Sequence, residues 1–354
     1  MIRFTRHRLQ LLAAAACTLF LLMLAALYGG ARAADDAPLT RIAFGSCAHQ
    51  DKPQPIWDAV LDYRPELFIF AGDNVYGDLT PGAPTPLAQA YARAATIPGY
   101  QALRAQVPVL ATWDDHDYGQ NDAGGDFPYR EEAKALFLDF WQIAADDPRR
   151  SRGGIYHAET FGPEGMRLQV ILLDTRSFRS PLIPTDQHGA PGKERYVPDP
   201  DPAKTMLGAA QWAWLREQLL QPADLRLIVS SIQVLAEGHG WERWGNLPRE
   251  REGLLALIAE TGAREVIFLS GDRHVGGIYH RPGVAYEITS SGLNMTYPAA
   301  REAGPLRLGP IYGAENFGTV DIDWWSGRVT LAVRAVNGEP ARRIAIALDA
   351  RSER

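Results

Sequence analysis

Residues 67–73 read Leu67-Phe68-Ile69-Phe70-Ala71-Gly72-Asp73. A short, unbroken apolar run that stops at Gly-Asp predicts a strand over Leu67–Phe70, buried on both faces, with a carboxylate at its end. Upstream, Arg41–Phe44 is a second such run and ends in Gly45-Ser46-Cys47; the helix-patterned segment Ile56–Tyr63 lies between them. Downstream, Leu87–Ala95 reads as a helix and Val107–Ala111 as a strand running into the polar stretch Asp114–Asp117. Glu131–Trp141 then places Ala133, Leu136, Phe137, Phe140 and Trp141 on one helical side. This alternation predicts an α/β fold. Polar residues sit just past the strand ends, where such sheets hold their ligands.

The second half repeats the pattern with antiparallel material added. Leu168–Leu173 is a strand ending at Asp174-Thr175-Arg176, and the proline-rich stretch Ser180–Pro202 reads as a long excursion, a lid or an insertion. Ala209–Leu220 is a helix, Leu225–Val229 a strand, and Gly253–Glu260 a helix. Val266–Leu269 is a strand that runs into Ser270-Gly271-Asp272-Arg273-His274. The runs Ala285–Thr289, Phe317–Asp323, Val329–Val336 and Ile344–Leu348 are expected to be largely antiparallel strands. With no internal repeat and no boundary beyond Asp36, residues 35–354 read as one domain built on two sheets.

The chain has 354 residues, 46% hydrophobic and 22% charged, an ordinary globular composition. Lys and Arg number 36 against 42 Asp and Glu; four of the arginines (Arg3, Arg6, Arg8 and Arg32) precede Ala34 with no acid among them. The remainder is therefore acidic, which argues against a duplex nucleic-acid partner. Arg3, Arg6 and Arg8 precede an apolar run from Leu9 to Leu27, then Gly29-Gly30 and Ala31-Arg32-Ala33. This pattern predicts an export signal over residues 1–34, cleaved after Ala33 or Ala34, and hence a periplasmic or extracellular protein. The alternative is an uncleaved segment that anchors the chain in the membrane. Cys17 falls inside that segment, so Cys47 stands alone in the remainder, as a buried thiol or a metal ligand.

Four clusters of metal-ligand residue types follow predicted strands. They are Gly45-Ser46-Cys47 with His49, Gly72-Asp73-Asn74-Val75-Tyr76, Trp113-Asp114-Asp115-His116-Asp117 with Asn121 and Asp122, and Gly271-Asp272-Arg273-His274. One Gly-Asp after a strand is commonly a turn. Four such clusters are explained more simply by a shared cation, because buried carboxylates repel one another. Thiolate, phenolate and imidazole donors from Cys47, Tyr76 and His274 suit ferric iron, while the oxygen-only donors Asp114, Asn121 and Asp272 suit calcium or magnesium. Asp73 is the candidate bridge. Zinc and manganese remain alternatives, although only 8 histidines argue against an all-histidine zinc site.

Taken together, these motifs resemble the alkaline phosphatase D, or PhoD-like, branch of the calcineurin-like metallophosphoesterases. The resemblance implies a four-layer α/β/β/α sandwich of two mixed β-sheets flanked by helices. It also implies ferric iron on Cys47, Asp73, Tyr76 and His274, and calcium on Asp73, Asp114, Asn121 and Asp272. Asp117 departs from the glutamate usual in relatives. The activity implied is hydrolysis of phosphate monoesters by a metal-activated hydroxide.

His116 is the candidate acid for the leaving group or a support for a ligand carboxylate. Arg176 is a candidate clasp for phosphate, and His49 and Asn294 are candidate substrate contacts. Trp241 and Trp244 read either as an apolar rim to the site or as packing against the Ser180–Pro202 excursion. The expected partner is a small-molecule or lipid phosphoester, with transient membrane-surface contact as a further possibility. Two other readings stand beside this one: a phosphodiesterase acting on phospholipid or cell-wall polymer diesters, and a non-catalytic metal-stabilised binding protein.

Overall fold

The computed structural model describes residues 37–79 and 85–348. The expected export signal over residues 1–34 lies outside them. The strands in chain order are β1 (Arg41–Gly45), β2 (Leu67–Ala71), β3 (Val109–Thr112), β4 (His157–Phe161), β5 (Leu168–Leu172), β6 (Ile183–Pro184) and β7 (Tyr196–Val197). They continue with β8 (Leu225–Ser230), β9 (Val266–Ser270), β10 (Gly276–Arg281), β11 (Ala285–Ser290), β12 (Asn316–Asp323), β13 (Arg328–Ala335) and β14 (Pro340–Ala347). The helices are α1 (Ile56–Tyr63), α2 (Thr85–Ala94), α3 (Pro98–Gln106), α4 (Asp115–Tyr118), α5 (Arg130–Phe140), α6 (Gly208–Leu219) and α7 (Pro248–Glu260).

Two six-stranded mixed sheets result, in the orders β14-β13-β12-β1-β2-β3 and β10-β11-β9-β8-β5-β4. Their strands alternate between two apolar environments, as strands buried on both faces must. Ile42, Phe44, Leu67 and Ile69 of the first sheet share one core with Leu227, Val229, Ile267 and Leu269 of the second. The opposite face of the first sheet, with Ala43, Phe68 and Phe70, packs on Trp57 of α1 and on Tyr100 and Leu103 of α3. Ile171, Ile228 and Phe268 on the outer face of the second sheet meet Leu215 of α6 and Leu254 of α7. This is the four-layer sandwich.

Strands β1, β2 and β3 are parallel, as are β5, β8, β9 and β11. Both parallel sets end at one rim of the sandwich. The expectation of largely antiparallel strands after Ala285 is corrected for β11, which pairs with β10 antiparallel but with β9 in parallel, Ile288 opposite Leu269. The Ser180–Pro202 excursion folds into the small β6–β7 ribbon. Thr185 N donates to the Arg195 carbonyl, and the amides of Arg195 and Tyr196 bond the Gly240 carbonyl, which fixes this segment across the rim.

Candidate active site

Each cluster begins at the end of a strand, and the strand pairing keeps those ends level. Backbone close approach is strict here. A Cβ on Gly72, at φ +102°, would lie 2.6 Å from Asp114 Cβ. One on Gly271 would lie 2.5 Å from Ser46 Oγ and 2.8 Å from the Ala71 carbonyl oxygen, across the two sheets. The left-handed region, rarely adopted by side-chain-bearing residues, also holds Cys47 (φ 63°), Asp73 (φ 50°), Asp122 (φ 54°), Asp272 (φ 67°) and His274 (φ 56°). Strain of roughly 1–3 kcal/mol per residue concentrates where the surroundings over-determine a functional geometry.

The residues drawn from three strand ends converge on Asp73. Cys47 Sγ is 3.5 Å from Asp73 Oδ2, Tyr76 Oη donates to the same oxygen at 3.0 Å, and Tyr76 Oη is 3.2 Å from His274 Nε2. Donor atoms of Cys47, Asp73 and His274 lie within 4.8 Å of one another. A second group consists of Asp73, Asp115 and His116, again within 4.8 Å. Asp73 therefore belongs to both groups. A cavity of about 350 Å³ opens over them; its lining includes Asp73, Asp115, His116, Asn121, Asp272 and His274, and also Arg195, Trp241, Arg273 and Tyr297.

Asp114 does not line this cavity. Its carboxylate is wholly buried, with Oδ1 accepting from Arg176 Nε at 2.7 Å and Ser231 Oγ at 2.6 Å. The side chain beside Asp73 is that of Asp115, which corrects the expected position by one residue. Asp114 instead precedes the short helix α4, where its amide donates to Asp117 Oδ1 at 2.6 Å. Asp117 also accepts from the amides of Asp73 and Asn74, both at 3.2 Å, and so ties the β2 end to the β3 end. Asn121 lines the cavity and is exposed, and its neighbour Asp122 groups with Asp115 and Glu242.

His116 Nδ1 is 2.7 Å from Asp78 Oδ1, and its backbone amide donates to Asp73 Oδ1 at 3.2 Å. Burial alone would depress its pKa, but the carboxylates of Asp115, Asp73 and Asp78 outweigh that and push it up to about 11. Of the three, Asp78 belongs to neither donor group.

The expected substrate role of Arg176 is also corrected. Arg176 is completely buried and lines no part of the cavity. Its fork grips Asp114 through Nε and Nη2, and Nη1 pairs with Glu242 at 2.8 Å. Arg179 closes the lattice through a 3.0 Å contact between its Nε and Glu242. The guanidinium groups facing the cavity are those of Arg195 and Arg273, which lie 5.7 and 4.8 Å from the Trp241 ring.

His49 and Asn294 do not line the cavity either. His49 stacks on Tyr76 at 4.9 Å, and the Asn294 amide bonds the His49 amide and the carbonyls of His49, Lys52 and Pro53. Both shape the loop behind Tyr76. Trp241 is rim and also packs on the excursion through Arg195, whereas Trp244 is core, its Nε1 donating to Ser230 Oγ at 2.9 Å.

The donor set fits cations. Asp73, Asp114, Asp115, Asp117 and Glu242 are buried together, with Asp272 half-buried beside them, against the two buried guanidiniums of Arg176 and Arg179. Burial pushes Asp73 and Asp272 well above the usual carboxylate range, with Asp115 and Asp114 respectively adding to it. Burial also raises Asp114 to about 7, despite Arg176. One oxygen of Asp115 is buried with no hydrogen-bond partner. Such a cluster stays ionised when positive charge is supplied to it.

A two-sheet sandwich whose strand ends gather Cys, Asp, Tyr and His around a shared carboxylate defines the metallophosphoesterase class of fold and site. The PhoD-like phosphatase family model matches residues 42–303, and the chain belongs to that family. Over 215 residues it is 24% identical to alkaline phosphatase D of Bacillus subtilis (strain 168), covering 54% of this chain and 35% of that protein. The chain thus spans about a third of the length of this curated relative.

Among solved structures, a structure of PhoD superposes with a TM-score of 0.65 at 15% identity, over 88% of this chain and 69% of the other. A purple acid phosphatase from yellow lupin gives 0.57 at 12% identity, over 88% and 54%. A dimetal phosphatase from Danio rerio gives 0.54 at 17%, over 88% and 100%. At these identities the structural likenesses establish the fold.

Proposed function

We propose that the chain is an exported, metal-dependent phosphoesterase that hydrolyses phosphate monoesters. The observation that carries this reading is the sharing of Asp73 between two donor groups under one cavity. Cys47, Asp73, Tyr76 and His274 would hold the ion with softer and stronger donors, assigned to ferric iron. Asp73 and Asp115, with Asn121 and Asp272 from the lining of the same cavity, would hold calcium, with zinc, manganese or magnesium as the alternatives. Bound there, the two cations would neutralise charge on the phosphoryl oxygens and lower the pKa of water.

The chain's own groups supply the rest. Arg273 is held by Glu302, 2.6 Å from its Nη2, and presents a fixed positive charge to the cavity. His116 has Nδ1 occupied by Asp78, so Nε2 is the nitrogen available to give a proton to the departing alkoxide. For His116→Ala, kcat/KM is expected to fall about 10²-fold or more for an alkyl phosphate and several-fold less for p-nitrophenyl phosphate, whose leaving group needs little protonation. Equal losses on both substrates would assign His116 to ligand support alone.

The exposed Tyr297 and the half-buried Trp241 add aromatic surface to the cavity lining, which favours a second reading in which a diester carries a bulky second alcohol. Export rests on Arg3, Arg6 and Arg8 followed by the apolar run to Leu27. The ratio of kcat/KM for p-nitrophenyl phosphate to that for bis-p-nitrophenyl phosphate separates monoester from diester preference. A ratio well above one is expected, and a ratio well below one transfers the assignment to diesters.

A further inference from the structure

Two guanidinium groups line the cavity over the donor cluster, Arg273 from between Asp272 and His274 and Arg195 from the Ser180–Pro202 excursion. They share one aromatic neighbour. The Arg273 and Arg195 guanidinium carbons lie 4.8 and 5.7 Å from the centre of the Trp241 ring, which also lines the cavity. Stacking on an indole holds a guanidinium while leaving its N–H edge open.

Each guanidinium is fixed by a carboxylate on one prong. Arg273 Nη2 is 2.6 Å from Glu302 Oε2, with side-chain exposures of 7% and 4%. Its Nη1 has no hydrogen-bond partner among the described residues. Arg195 pairs through Nη1 with Asp122 Oδ2, which also accepts from Tyr196 Oη at 2.8 Å. Nη2 and Nε of Arg195 remain, on a side chain that is 36% exposed.

The backbone delivers Arg195 to this place. The amides of Arg195 and Tyr196 donate to the Gly240 carbonyl at 3.0 and 2.7 Å, and the Gly240 amide donates to the Glu194 carboxylate. A Cβ on Gly240 would lie 2.6 Å from the Glu194 amide nitrogen and 2.7 Å from Lys193 Cα, so this approach requires glycine. Trp241 follows directly, and its amide donates to His239 Nδ1 at 3.2 Å. The excursion and the Trp241 loop are thereby stapled together.

The acids of the cavity lining have their partners or their task. Asp122 pairs with Arg195, and Glu242 with Arg176 and Arg179. Asp73, Asp115 and Asp272 are the carboxylates assigned to the cations. What is left to meet a ligand oxygen is the free prong of Arg273 and the free edge of Arg195. A phosphate monoester near neutral pH carries about two negative charges and three strong acceptor oxygens. A diester has lost one of those oxygens to the second alcohol, and one charge with it. Guanidinium forks match such oxygens in paired N–H···O bonds.

We propose that Arg195 and Arg273 form a clasp for the additional unsubstituted oxygen of a monoester, and that Arg195 sets the preference for monoesters over diesters. The clasp rests on the phosphoesterase reading above and names the residues that decide its substrate class.

The test is Arg195→Ala in the metal-loaded full chain, with Arg195→Lys and Tyr196→Phe beside it and metal content measured on each. Binding of inorganic phosphate, followed by calorimetry, is expected to weaken about 10- to 100-fold in Arg195→Ala and by less in Arg195→Lys. The ratio of kcat/KM for p-nitrophenyl phosphate to that for its bis-p-nitrophenyl diester is expected to fall by about 10-fold or more. Tyr196→Phe removes the other bond to Asp122 Oδ2 without touching a guanidinium, and is expected to keep the wild-type ratio. Unchanged phosphate binding in Arg195→Ala, or equal losses on the two esters, overturns the clasp. So does loss of a metal in that variant, or the same fall of the ratio in Tyr196→Phe, either of which assigns Arg195 to holding Asp122. A wild type that binds phosphate through Arg195 but turns over neither ester supports the clasp and contradicts the phosphoesterase reading.

Discussion

Asp73→Asn is expected to remove activity and to stabilise the metal-free protein, two effects of opposite sign from one atom change. The carboxylate serves both donor groups, so the loss of its charge weakens cation binding at both. Several kcal/mol of transition-state stabilisation goes with the cations, and at about 1.4 kcal/mol per tenfold this is a fall in kcat/KM of about 10³-fold or more. In the metal-free chain, Asp73 is instead a liability: burial and the neighbouring Asp115 carboxylate push its pKa well up. The amide removes that cost while filling the same space, so the melting temperature without metal is expected to rise. Elemental analysis, kcat/KM and calorimetry on the same preparation read all three quantities. A variant that loses activity but retains both metals, or that melts lower without them, contradicts the shared-ligand assignment.

The second large effect falls on stability. Arg176→Ala strips the guanidinium from a lattice in which Asp114 and Glu242 have 0% and 2% side-chain exposure. Breaking a buried pair by removing one partner costs about 3–5 kcal/mol, because the surviving charge stays buried and uncompensated. At roughly 2–4 °C per kcal/mol for a chain of this size, the melting temperature is expected to drop by about 10 °C. Arg176→Lys should recover only part of it, since an ammonium cannot reproduce the two-pronged contact with Asp114. Were Arg176 a phosphate clasp instead, Arg176→Ala would raise KM and leave the melting temperature near the wild-type value.

These two variants also mark how far the amino-acid sequence could be read. Strands with apolar side chains on both faces, such as Leu67–Ala71 and Val266–Ser270, announce themselves, because two-sided burial leaves no polar position to confuse the pattern. The edge strand His157–Phe161 and the strand Gly276–Arg281 carry polar or glycine positions and were not legible. Nor was the helix Pro98–Gln106, whose sequence PGYQALRAQ shows a weak apolar stripe. The parallel placement of β11 depends on a neighbour far along the chain, which a local pattern does not reveal.

Within the site, the convergence of Cys47, Asp73, Tyr76 and His274 was legible, since each follows a strand with little slack. The choice between Asp114 and Asp115 was not. The turn into α4, tied by Asp117, decides which of two adjacent carboxylates meets Asp73. Arg176 misled for a related reason. An arginine after a strand looks like an anion clasp until Asp114 and Glu242, 62 and 66 residues away in sequence, are seen to enclose it. Arg195 reaches the cavity from the Ser180–Pro202 excursion, through backbone bonds to the Gly240 carbonyl that carry no sequence motif.

The most direct test of the central claim is metal content and turnover measured together. The full chain, supplied with iron and calcium, is assayed on p-nitrophenyl phosphate before and after exhaustive dialysis against a chelator, with Cys47→Ser alongside. Two bound metals, turnover that vanishes with them and returns on their addition, and loss of iron in Cys47→Ser are the expected results. Turnover undiminished by complete metal removal, or no turnover of mono- or diester with both metals bound, would contradict it.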